Sequence, residues 1–97
     1  MGIKITIYVG SDNRTQRISD TYEKKIKNIT GKYWPSFTVL RAKGMWKNQS
    51  EDVAIIYVYT KNLEFSKFDE YLQRMKLELK QEKILYEINC DSNFQLK

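Results

Sequence analysis

Apolar positions alternate, then recur at helical spacing, then alternate again. Ile3, Ile5, Ile7 and Val9 alternate with Lys4, Thr6 and Tyr8, the period of a strand with one buried face. The stretch Gly10-Ser11-Asp12-Asn13-Arg14-Thr15-Gln16-Arg17 is rich in turn formers and reads as a connecting loop. Ile18, Tyr22, Ile26 and Ile29 follow at helical spacing and predict a helix from about Ser19 or Asp20 to Gly31. Asp20 and Glu23 have capping-box spacing, and Gly31 suits a left-handed stop. Pro35 holds Trp34 extended and prevents the helix from continuing.

The middle of the chain, Phe37 to Thr60, reads as a β-hairpin around a polar turn, Lys47-Asn48-Gln49-Ser50-Glu51. In its first strand Leu40 and Ala42 oppose Arg41 and Lys43. The second set is basic, so Leu40 and Ala42 are expected to face the core. Gly44 suggests a bulge. In the next strand Ala54, Ile56 and Val58 are expected inside, with Tyr57 and Tyr59 on the other face. Phe68, Leu72, Met75 and Leu79 predict a second helix starting near Ser66. Ile84, Tyr86, Ile88 and Cys90 alternate as a last strand, with Cys90 a small buried side chain.

The order β-α-β-β-α-β, with right-handed crossovers, predicts a ferredoxin-like α+β fold. Four antiparallel strands in the order 4-1-3-2 carry both helices on one face, in one domain spanning 1–97. The other face has no helix left to cover it. It is expected to carry Tyr8, Tyr57 and Tyr59, with Lys4, Arg41, Lys43 and Glu87 around them.

Composition narrows the chemistry. The chain has 97 residues and a net charge of +5, which favours anionic partners. It has no histidine, which removes His-dependent triads and nearly all zinc chemistry. A single cysteine excludes an internal disulfide and fits a reducing cytoplasm. No signal-peptide pattern, membrane-length apolar run or cofactor signature is present. Glu51 and Asp52 point apart in an extended chain, so they are expected to be solvated rather than catalytic.

These observations predict a non-enzymatic binding protein. An anionic, nucleotide-like small molecule held between protomers would take phosphate contacts from Arg14, Arg17, Arg41 and Lys43. Trp46, Tyr8, Tyr57 or Tyr59 would supply stacking. Association through the open face predicts a homo-oligomer. The alternative is a single-stranded nucleic-acid module, with bases stacked on the tyrosines of the two central strands. The basic-Gly-aromatic opening of RNA-recognition strands is absent from Asp52-Val53-Ala54-Ile55.

Phe37-Thr38-Val39-Leu40-Arg41-Ala42-Lys43-Gly44-Met45-Trp46, followed by Glu51 and an apolar strand, resembles the F-T-V-x-x-A-x-G-x-W … E run of small uncharacterised bacterial and bacteriophage proteins. Ile5 to Gly10 is similar to their I-x-I-Y-V-G start. The resemblance spans most of the first sixty residues. It implies a role in host takeover or in countering bacterial defence, by sequestering a nucleotide signal or masking a host protein.

Overall fold

In the computed structural model, which describes residues 2–92 apart from the side chains of Trp46, Asp91 and Ser92, the predicted element order holds. The strands are β1 (Gly2–Gly10), β2 (Thr38–Trp46), β3 (Gln49–Thr60) and β4 (Leu85–Ser92); the helices are α1 (Asp20–Thr30) and α2 (Phe65–Leu79). The strands form one sheet in the order β2-β3-β1-β4, with every neighbouring pair antiparallel. This is the ferredoxin-like arrangement expected from the sequence.

The core follows from strand alternation. Ile5, Ile7 and Val9 of β1 and Ala54, Ile56 and Val58 of β3 are fully buried on the helix side. Ile26 and Ile29 from α1 and Phe68, Tyr71 and Met75 from α2 pack onto them. Where the helices meet, the Thr30 and Tyr71 hydroxyls share a buried hydrogen bond of 2.9 Å. Burial pushes the Tyr71 phenol well above its ordinary pKa. Trp34 closes one end of the layer, its ring edge-on to Tyr71 at 4.8 Å.

Several local expectations are corrected. The cap of α1 is Ser19, whose Oγ accepts from the Tyr22 N–H at 3.1 Å; Asp20 is already helical. Gly31 is right-handed, with φ −65°, so no left-handed stop forms there. Helix α2 starts at Phe65, after Glu64, and Ser66 lies inside it. The hairpin turn is two residues, not five. Lys47 and Asn48 both have positive φ, 50° and 64°, the backbone whose twist matches paired strands. The β2–β3 register is unbroken at Gly44, and the irregularity falls between Gly2 and Lys4 of β1 instead. Cys90 is exposed rather than buried; it lies on the edge strand β4, beside the register shift between the Lys4–Asn89 and Gly2–Ser92 pairs.

Candidate functional site

The two-residue turn fixes what each hairpin side chain meets. Trp46 pairs with Gln49, so Lys43 falls opposite Asp52, Arg41 opposite Ala54 and Val39 opposite Ile56. Ala54 and Ile56 are core residues, which puts Val39, Arg41 and Lys43 on the helix side of β2. Leu40 and Ala42 therefore belong to the open face, where Leu40 is 46% exposed. This reverses the expectation from sequence. The physical reason is that β2 is an edge strand and α1 does not seal its helix side. A basic side chain can lie there along its apolar stem and reach carboxylates on α1.

Arg41 does so. Its Nη2 donates to Asp20 Oδ1 at 2.6 Å and its Nε to Glu23 Oε1 at 2.9 Å. The guanidinium holds the Glu23 carboxyl below its usual range, with Lys27 adding to the effect from 3.3 Å. Lys43 pairs across the strands with Asp52 Oδ1. The other Asp52 oxygen accepts from the Ile18 N–H at 2.9 Å. The Lys43 ammonium, then that N–H, keep the Asp52 carboxyl below its ordinary range, and its side chain is only 15% exposed. The Asp52 backbone N–H also donates to Gln16 at 3.1 Å, so the loop before α1 is tied to the hairpin.

These contacts line a pocket of about 560 Å³ formed by Thr15, Arg17, Ile18, Ser19, Arg41, Lys43 and Asp52. Arg17, Arg41 and Lys43, all expected at a ligand site, come together here. The lining holds three cations, Arg17, Arg41 and Lys43, and one carboxylate, Asp52; Asp20 and Glu23 are not part of it and hold Arg41 from α1. A bare phosphate cradle would keep its cations unneutralised. This pocket instead suits a ligand carrying both charge signs. Asp52 was readable once the turn length was known, because only a two-residue turn puts it opposite Lys43. Asp20 and Glu23 carry no such signal, since they reach Arg41 only through the packing of α1 on the sheet.

The remaining expected residues lie elsewhere. Arg14 pairs with Asp12 at 3.7 Å and lines a separate cleft with Asn13, Leu79 and Lys80. The side chain of Trp46 is outside the described residues. Tyr8, Tyr57 and Tyr59 do share the open face, opposite Ile55, Thr6 and Lys4 respectively. The Lys4 ammonium lies 4.9 Å from the Tyr57 ring centroid and 5.9 Å from that of Tyr59. A base stacking on Tyr57 would have to displace this cation. Arg41 and Lys43 are on the opposite face, so the tyrosines and the basic pair do not form one site. Among the described residues no group of three or more His, Cys, Asp or Glu side chains could hold a metal ion, and no helix is long and apolar enough to cross a membrane.

No family model and no curated protein matches the chain. Among solved structures, a DUF3240 family protein from Shewanella baltica OS155 is similar in fold, with a TM-score of 0.65 and 10% identity over 98% of this chain and 97% of that one. A phage SAM lyase in complex with S-methyl-5'-thioadenosine is similar with a TM-score of 0.56 and 24% identity, over 92% of this chain and 81% of that one. The apo phage SAM lyase matches at 0.56 and 19% identity, over 91% and 79%. The chain thus shares its fold with a small bacterial protein and with a phage enzyme. The expectation of a non-enzymatic protein is overturned by the lyase. Missing histidine and missing carboxylate pairs argue only against chemistries that need them.

Proposed function

We propose that the chain is a small-molecule lyase acting on an S-adenosyl-type sulfonium, with the ligand's amino-acid end in the pocket at Arg41. The observation that carries this reading is the likeness in fold to the phage SAM lyase over 92% of the chain. The mixed charge of the pocket supports the placement. Arg17, Arg41 and Lys43 suit a carboxylate, and Asp52, with Asp20 and Glu23 held at Arg41, suits an ammonium or a sulfonium.

The chemistry asks little of the protein in nucleophiles. A sulfonium carries its own activated leaving group. As the carbon–sulfur bond breaks, its electron pair returns to sulfur and a neutral thioether departs. The substrate's own carboxylate oxygen forms the new bond to the carbon left behind, closing a lactone, so no protein nucleophile is required. Orientation and preorganised charge can then supply most of the acceleration. A role in countering host defence, implied by the hairpin's resemblance, would follow from turnover of a nucleotide-like host molecule in the cytoplasm. Copies of the chain would associate through the open sheet face, where Leu40 and Leu85 are exposed.

The test is to incubate the purified protein with S-adenosylmethionine and follow S-methyl-5'-thioadenosine by chromatography. Wild type should form it above the buffer rate, and Arg41→Ala should lose roughly a hundredfold while still unfolding as a folded, cooperative protein. Formation at the buffer rate by wild type would refute the lyase reading. Full activity in a folded Arg41→Ala protein would move the site elsewhere.

A further inference from the structure

A second cleft, of about 430 Å³, lies where the end of α1 meets the start of α2. Its walls are Tyr33, Trp34, Leu63 and Phe68, and its mouth holds Thr60 and Asn62. The cleft owes its shape to fixed rings. Trp34 is braced from the core side by Tyr71, at 4.8 Å between centroids, and by Phe68, at 6.4 Å. Tyr33 stands edge-on to Tyr71 at 5.3 Å, and its hydroxyl donates to Glu70 Oε2 at 2.8 Å. The aromatic wall is therefore built before any ligand arrives, which lowers the ordering cost of binding.

The polar mouth is also preorganised. The Thr60 hydroxyl donates to the Asn62 carbonyl at 2.9 Å and accepts from the Asn62 N–H at 3.3 Å. This holds the backbone that presents Asn62, while its side-chain amide makes no hydrogen bond among the described residues. The charges lining the cleft cancel: Lys32 and Lys67 face Glu64 and Glu70. No net field draws in a phosphate. A planar aromatic wall, a free amide and a neutral rim describe a site for an uncharged, flat nitrogen heterocycle.

We propose that this cleft binds the base of an adenine-type nucleoside, stacked on Trp34 and read by the Asn62 amide. An asparagine amide offers one donor and one acceptor side by side, which matches the amino group and ring nitrogen on the edge of adenine. The site is distinct from the charged pocket. Thr60 and Asp52 are separated by eight steps of β3, roughly 27 Å of extended chain, so one small ligand cannot occupy both in one copy. The inference does not depend on the lyase reading.

The experiment is calorimetric titration of adenosine into the whole wild-type chain, Asn62→Ala and Arg41→Ala, with inosine as control. Asn62 is exposed, so its substitution should leave the fold intact. Wild type should bind adenosine saturably. Asn62→Ala should weaken binding by about tenfold or more, inosine should be weaker by a similar factor, and Arg41→Ala should bind as wild type. The proposal is overturned if wild type shows no saturable binding, if Asn62→Ala binds as tightly as wild type, if inosine binds equally well, or if Arg41→Ala weakens binding.

Discussion

The two faces of β3 come from the same twelve residues and end in different environments. On one side Ala54, Ile56 and Val58 are fully buried beneath both helices. On the other Val53, Ile55 and Tyr57 are half-buried, and Tyr59 is 48% exposed. Among the described residues no element lies over this second face. Hydrophobicity alone does not separate the two sets, since Ile55 and Ile56 are identical in composition. The helices decide, and the difference shows that the open face's apolar character is not needed to fill this chain's own core.

Truncating a side chain on each face of β3 in turn should give very different losses. Ile56→Ala should cost about 2–5 kcal/mol in urea unfolding, because it leaves a cavity in packed surroundings. Ile55→Ala should cost about 1 kcal/mol if water covers the open face. A loss for Ile55→Ala as large as that for Ile56→Ala, and dependent on protein concentration, would show that another copy covers this face.

A second contrast lies at the edge of the sheet, where charge takes over from burial. The Glu23 and Asp52 carboxyls titrate below their ordinary values because of Arg41 and Lys43. Their contribution is present above the unfolded carboxyl range, about pH 4, and is lost as pH falls through the lower folded values. Stability measured from pH 6 to pH 2 should show this loss. Arg41→Ala should flatten it by returning Glu23 toward its ordinary range, and an unchanged acid limb in that variant would mean the pair contributes nothing measurable.

The smallest effect should come from the open face itself. Lys4→Gln removes the cation from the Tyr57 and Tyr59 rings and should cost about 0.5–1 kcal/mol in the same unfolding experiment. If the variant instead gained affinity for single-stranded oligonucleotides, Lys4 would be what keeps bases off those rings.

Strong periodicity made the fold legible. The unbroken alternation of Ile3 to Val9 and the stripe from Phe68 to Leu79 each have one solution, and element order fixes the sheet. The site was only half legible. Arg17, Arg41 and Lys43 were recognisable as a basic set, but the face they occupy depends on hairpin register. A turn read as Lys47 to Glu51 leaves that register open, whereas a turn of Lys47 and Asn48 pairs Lys43 with Asp52. Arg41 also breaks the rule that a charged residue marks the solvent side, because its partners Asp20 and Glu23 come from a distant helix. The exposure of Cys90 was hidden for a related reason: it lies beside the register shift between β1 and β4, which alternation in the sequence does not reveal.

The pairing of β1 with β4 sets the order in which this chain can fold. Ile5 meets Ile88 across more than eighty residues, and β1 is a central strand only once β4 is in place. During synthesis, β1 and the β2–β3 hairpin must wait with one flank of β1 unpaired until the last strand emerges. Long-range closure of this kind slows folding and leaves a strand edge open to other chains. β1 itself offers little protection on that edge, since Lys4 is its one charged residue. Dependence on rapid docking of β4 is thus built into the topology, and slowed translation, which delays β4, should be where this chain aggregates most readily.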